Sequence, residues 1–286
     1  MKSIIAIFCV LVTQAKVLNF ETTRMKSTAG AGNASLLMNE ASLSNPAPIA
    51  FFKMSSFYFE RSNTTYTDSD SQALESSNYA FIASDATKHL RGSVALIKHN
   101  EGSNQLKQMN LALASTLGDK SSMGVAYRNV EKSYLYNGTR IDENYKIVVP
   151  GIFHAVSKDF SVGFTLIDPT RKSPNETKAI AGFQYQILNF MMIMLDIGAD
   201  YEGAISDTSV VKGAMQLKVF DDFFLRFGAY DDKDLMERGS GFGIGWVGPK
   251  LVMNFAIKNT KVSESFELKQ DSQTIKDSSF SLSYRF

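Results

Sequence analysis

Three histidines, His89, His99 and His154, are the side chains of this sequence best suited to proton transfer or metal binding. They share no ligand-like spacing, and the first two fall near a strand end or loop, so neither a metal site nor a catalytic role follows from them. His154 could act as base to a serine of the same sheet, but the sequence offers no third member to orient it. Cys9 is the single cysteine and lies in an apolar run at the N-terminus. A chain cleaved of that run has no thiol, which excludes disulfides, thiolate nucleophiles and zinc–thiolate sites. "GIGWVG" fits GxGxxG at Gly243, Gly245 and Gly248, yet a dinucleotide loop must open a helix after a strand. Here the motif sits inside an alternating strand and runs into a turn at Pro249. Gly239, Gly241, Gly243 and Gly245 alternate, which marks one face where space is left or another backbone comes close. Serine-rich "SDSDSQALESS" reads as a solvated loop without a nucleophile elbow, and the sequons at Asn63, Asn137 and Asn175 read as loop composition. No catalytic residue, metal or cofactor is expected.

One chemical feature remains, a set of charged and amide side chains that recur on one face of their strands. It comprises Arg128, Gln184, Gln186, Asp196, Asp200, Lys212, Lys218, Arg226, Asn254, Lys258 and Arg285. What the set can do depends on the elements that carry it. From Lys53 onward the chain resolves into fourteen alternating segments punctuated by turn residues. The first seven cover about 53–66, 76–86, 89–100, 104–117, 121–135, 141–157 and 159–169. The other seven cover about 176–188, 191–203, 208–219, 222–231, 238–247, 250–262 and 274–286. Most run to ten residues or more, whereas strands of soluble domains run to about five or six and a tilted strand needs about 9–11 to cross a bilayer.

Connections support a membrane. "SDATK", "GDK", "SKD", "LNF", "FDD" and "VGPK" are short, and the others, such as "NTTYTDSDSQALES", "YNGTR" and "DPTRKSPNE", are mostly longer and polar. Tight turns alternating with longer loops is the layout of an outer-membrane barrel, with both termini in the periplasm. One strand face is large and nearly uncharged: Leu251, Met253, Phe255 and Ile257, for example, or Phe223, Leu225 and Phe227. That face suits lipid, because Lys or Arg at mid-depth costs about 2–4 kcal/mol. The opposite face, with the polar set, suits a lumen. A soluble β-sandwich would show shorter strands and more charge on its exposed face. Aromatic residues gather beside the turns, where interfacial girdles sit. The polar set then either braces the barrel with internal ion pairs or lines a pore that selects solutes. Both signs of charge argue against strong ion selectivity.

The formal charge is +1 with no basic cluster, so no nucleic-acid partner is expected. "MKSIIAIFCVLVTQA" reads as a secretory signal peptide with Lys2 as its positive start, Ile4–Val12 as its apolar core and cleavage near Ala15. The rival is a buried N-terminal strand. No stretch is apolar enough for a membrane helix.

Residues 16–52 do not alternate. Their Ala29-Gly30-Ala31-Gly32, Asn39-Glu40-Ala41 and Asn45-Pro46-Ala47 resemble the N-terminus of FadL-like proteins, the long-chain fatty-acid channels and their PorV-like relatives. The resemblance implies fourteen strands and a hatch folded into the lumen, with Gly30, Gly32, Glu40, Asn45, Pro46 and Ala47 as its markers. It also implies sideways exit of lipophilic substrates. A plain linker opened by Asn-Pro is the other reading of this segment. The end of the chain, with Phe280, Leu282, Tyr284 and Phe286 on one face, resembles the C-terminal signature of bacterial outer-membrane proteins, which implies the barrel-assembly machinery as partner.

The expected protein is an all-β transmembrane antiparallel barrel of about fourteen strands. It has a signal peptide (1–15), a hatch-like segment (16–52) and a barrel (53–286), and it lies in a bacterial outer membrane with its lipid. The expected function is passive passage of small hydrophobic molecules. A non-transporting surface scaffold and a small general-diffusion porin are the alternatives.

Overall fold

The computed structural model describes residues 20–286 except 37–38, 69–72, 88–89, 102–103, 137–138, 173–176, 202 and 265–271. The signal-peptide reading, His89, Asn137 and Asn175 lie outside the described residues. Period-two alternation sets the architecture: wherever a large apolar residue is followed by a small or polar one, the chain is a strand.

The first seven strands are β1 (Ser56–Asp68), β2 (Ala73–Asp85), β3 (Arg91–Glu101), β4 (Asn104–Thr116), β5 (Ser121–Tyr136), β6 (Thr139–Ala155) and β7 (Phe160–Ile167). The rest are β8 (Lys178–Ile187), β9 (Met191–Ala199), β10 (Ser209–Lys218), β11 (Phe223–Asp232), β12 (Glu237–Val247), β13 (Leu251–Val262) and β14 (Gln273–Arg285). Each pairs antiparallel with its sequence neighbours, and β1 pairs with β14 from Ser56↔Arg285 to Asp68↔Gln273, which closes the barrel. Closure leaves no sheet edge at membrane depth, as a barrel in lipid requires. Ser55 and Phe286 exchange backbone hydrogen bonds of 3.1 and 3.0 Å beyond the last register pair.

Side chains divide by parity. On β13, Met253, Phe255 and Ile257 are exposed while Val252, Asn254, Ala256 and Lys258 are buried. On β14, Phe280, Leu282 and Tyr284 face out and Ser279, Ser281 and Ser283 face in. Phe255 is 42% and Phe280 50% exposed, so the outer band is a continuous apolar surface, which only lipid can cover without cost. No helix among the described residues is long and apolar enough to cross a membrane.

Strand length is uneven around the wall. β5 and β6 have 16 and 17 residues, whereas β7, β8 and β9 have 8, 10 and 9. β8 and β9 are just long enough to cross a bilayer, β7 falls one residue short of the usual span, and the long strands extend past it. This corrects the expected contrast in connections. Several stretches that read as polar outer loops are strand: Asn63 is a β1 residue, and β3–β4 and β5–β6 are joined by residues 102–103 and 137–138 alone. Above the membrane, alternation loses its apolar half and looks like loop.

The pairing also has a weak seam. Among the described residues β6 pairs with β7 from Gly151↔Thr165 to Ala155↔Ser161, and above that a backbone bond runs from Asp168 N, just past β7, to Val148 O (3.1 Å). Pro150 stands in β6 at this point and has no N–H to give.

Candidate functional site

The described residues of 20–52 lie inside the barrel. The segment begins with α1 (Thr23–Ser27), a single turn capped by Thr22, whose side chain accepts from Met25 N at 3.3 Å. It ends in a 3-10 turn, Ala47–Phe51. Between them the chain reverses at Ala29, Gly30 and Gly32, with φ of 51°, 79° and 142°, values that suit glycine at the latter two positions. Almost every residue from Thr22 to Ala50 that is described is buried.

The buried polar atoms of this segment find their partners on the inward face of the wall. Glu21 accepts from Lys258 Nζ at 2.6 Å, and that ammonium stands 4.4 Å from the centre of the Tyr230 ring. Lys26 pairs with Glu60 at 3.3 Å, and Glu60 also accepts from Thr23 N at 2.7 Å and from the Tyr58 hydroxyl. Arg24 donates to Gln216 Oε1 at 3.1 Å, which accepts Arg226 Nε at 2.8 Å as well. Arg226 donates onward to Asn254 Oδ1 at 2.9 Å, and Asn254 to Ser281 at 3.4 Å. Asp196 accepts from Gly32 N (2.9 Å) and Asn33 N (3.0 Å). Charged groups removed from water are tolerated only when paired in this way.

The Asn-Pro-Ala turn is fixed equally firmly. Asn45 Nδ2 donates to Asn33 O and to Ile152 O, both at 3.0 Å, while its Oδ1 accepts from Ala47 N at 3.1 Å. Pro46 precedes the 3-10 turn, whose Ala47 carbonyl accepts from Ser122 at 2.8 Å. Arg128 donates to Leu43 O at 2.6 Å. Glu40 accepts from Thr22 Oγ1 at 3.2 Å. Below these bonds, Ile49, Ala50 and Phe52 pack against Ala112, Ala114, Ala126, Ile147 and Val149 of the wall. Burial pushes the Glu21 carboxyl up, but the ammonium groups of Lys258, Lys212 and Lys26 outweigh it and hold the group below its ordinary value.

Glycines on the inward face let the segment approach. A Cβ at Gly241 would fall on the Lys26 carbonyl, and one at Gly243 on the Ser27 side chain. The alternating run is therefore occupied by α1 and the GxGxxG match is incidental.

The polar set is not a single constellation. Arg128, Asp196, Lys212, Arg226, Asn254 and Lys258 gather around the segment; a Cβ on Gly30 would come 3.0 Å from Lys212 Nζ. Gln184 faces inward with its Oε1 buried and without a hydrogen-bond partner among the described residues. Lys218 is at the turn end of β10, paired with Asp221 at 3.4 Å, and Gln186 donates to Met191 O at 3.1 Å nearby. Asp200 lies past the other end of β9, where it accepts from Thr177 at 2.6 Å. Arg285 is half-buried at the last register pair. Phe280, Leu282, Tyr284 and Phe286 line the outer face, with Phe286 5.2 Å from Phe57.

Sequence reasoning missed Glu21, Arg24, Lys26, Asn33 and Glu60. Parity alone marks Glu60, the acid among the inward residues Tyr58, Ser62 and Thr64 of β1. Nothing local marks the others, whose partners lie far along the chain. The histidines stay apart: His99 contacts Asn78, and His154 contacts Ser121 at 2.8 Å on the outer face. Among the described residues no three His, Cys, Asp or Glu side chains gather as a metal site.

No protein-family model matches the sequence, and no curated protein is similar to it. Solved structures are similar in fold. The P. putida toluene transporter TodX has a TM-score of 0.67 at 12% identity, covering 94% of this chain and 98% of TodX. The Ralstonia pickettii toluene transporter TbuX has 0.68 at 9%, covering 94% and 99%. A Pseudomonas aeruginosa FadL homologue has 0.60 at 11%, covering 93% and 98%. At such low identity what is shared is the fold, and this chain has the closed fourteen-stranded barrel fold of these transporters and of the FadL homologue.

Proposed function

We propose that the protein is a passive outer-membrane channel for small hydrophobic molecules, with residues 20–52 as a hatch. The observation that carries the reading is the filled lumen: the segment is bonded to the wall through Lys258, Glu60, Asp196, Ser122 and Arg128. Such filling speaks against a general-diffusion porin, which needs an open aqueous bore. The likeness in fold to toluene transporters supports a hydrophobic cargo. A packed apolar cluster stands beside the seam, where Ile49, Phe52, Ile147 and Val149 meet Ile167 of β7, and it offers a hydrophobic lining once the segment shifts. A molecule entering from the outer mouth would leave sideways there, without crossing water. No covalent chemistry is involved, and the concentration gradient supplies the drive.

Single-channel conductance in planar bilayers tests this, comparing the mature protein with a variant lacking residues 16–48. A closed parent and an open deletion would support the hatch, and labelled toluene uptake by vesicles holding the parent would then support the cargo. Equal conductance of both would mean a linker and a small porin. A parent and deletion both closed, without uptake, would favour a surface scaffold.

A further inference from the structure

The outer face of β1–β5 is concave. A groove of about 570 Å³ runs across these strands between two rows of outward side chains. Its floor row, at matched register, is Phe59, Phe81, Leu96 and Met109. The row above, two residues nearer the outer mouth, carries Tyr79, Lys98 and Lys107. Lys98 and Lys107 are direct register partners on neighbouring strands. Like charges placed opposite each other destabilise a sheet pair, and neither ammonium forms an ion pair among the described residues. Glu131, opposite Lys107, is the one acid in the groove besides the inward Glu60.

The basic row extends past the groove. On β1, β3, β4 and β6 the first polar outward residue beyond the apolar band is Arg61, Lys98, Lys107 and Lys146. On β12, β13 and β14 the same position holds Ser240, Asn259 and Ser278, all uncharged. One outward step further, β12, β13 and β14 carry Arg238, Lys261 and Lys276, so what sets the β1–β4 side apart is a basic row at the very edge of the apolar band. It stands directly above a concave apolar surface deep enough to hold acyl chains.

We propose that this face binds a phosphate-bearing, multiply acylated lipid of the outer leaflet, its phosphates between Lys98, Lys107 and Arg61 and its chains along Phe59, Phe81, Leu96 and Met109. Anionic lipid supplies the counter-charge that one acid, Glu131, cannot give to two facing lysines and Arg61, and each interfacial Lys or Arg strengthens such binding independently of what passes through the lumen. The site depends on the orientation of the barrel in its membrane and on nothing in the hatch reading.

The test is titration of detergent-solubilised protein with lipid A, a bis-phosphorylated acylated disaccharide, read by native mass spectrometry. Dephosphorylated lipid A and inorganic phosphate are titrated in parallel. Saturable binding is expected for lipid A, about 30-fold weaker in the Lys98→Gln/Lys107→Gln variant and unchanged in Lys261→Gln/Lys276→Gln on β13 and β14. Both variants must keep the folded mobility of the parent on unheated gels, and charge reversal at Lys98 alone serves if the double variant does not. The proposal is overturned if dephosphorylated lipid A binds equally well. It is also overturned if both variants lose binding alike, or if inorganic phosphate alone shows the same lysine dependence.

Discussion

Lys258 is a lysine of the inner wall whose ammonium meets a carboxylate on one side and an aromatic face on the other. Taking one partner from a buried pair costs about 3–5 kcal/mol, because the remaining charge is left dry and unpaired. The cost here falls on the luminal segment, which Glu21 anchors, and the barrel's own ladder is untouched. Glu21 titrates below its ordinary value in the folded state. Its contribution is therefore complete above the unfolded carboxyl range, about pH 4, and is lost as pH falls through the lowered value. Conductance followed from pH 7 down to pH 3 should stay low and then rise below about pH 4. Glu21→Gln should conduct at neutral pH and lose that dependence. A flat parent trace across the whole range would show that this pair does not hold the segment. None of this could be read from Glu21 itself, a lone acid in a short polar stretch. Lys258 was legible, by contrast, because parity placed it opposite Phe255 and Ile257.

At the scale of elements, the alternation that defines the strands is a local signal, and it located all fourteen with boundaries off by a few residues. It blurred only where chemistry changes sides, and there the same polar residues read both as strand end and as loop. β1, β5 and β6 continue as strands through polar sequence such as "RSNTTYTD", where no apolar residue faces lipid. The β6–β7 seam was equally invisible, because pairing depends on two strands of different length meeting, and neither sequence records the other. Ile152 and Phe164 are outward register partners in the paired part of that seam. Cysteines at both positions should form a cross-strand disulfide that keeps the seam shut. If cargo leaves there, vesicle uptake of labelled toluene should drop at least about tenfold in the oxidised form and recover with a reductant; an exit elsewhere would leave uptake unchanged in both states. A control pair at Phe255 and Phe280, register partners on β13 and β14, should be silent under the same treatment.

For the molecule as a whole, stability rests on matching an apolar outer band to lipid and a polar inner face to the enclosed segment. The two substrates of that match respond differently to charge. Phe255→Lys places an ammonium in the middle of the band and should cost about 2–4 kcal/mol, whereas Asn259→Lys at the outer boundary should cost no more than about 1 kcal/mol. Urea unfolding in lipid vesicles measures both, and equal costs would mean that the band does not sit where parity puts it. The uneven rim has a further consequence. Above Val148, β6 has β5 on one side and, among the described residues, no strand on the other. An edge strand is an invitation to foreign strands, which is how native sheets begin to aggregate edge to edge. This stretch carries Arg140, Asp142, Glu143 and Lys146 and stops at Pro150, and charge and proline are the two commonest deterrents to such joining. The tall side of the barrel can therefore project into water, one copy beside another in a crowded membrane, without two rims zipping together.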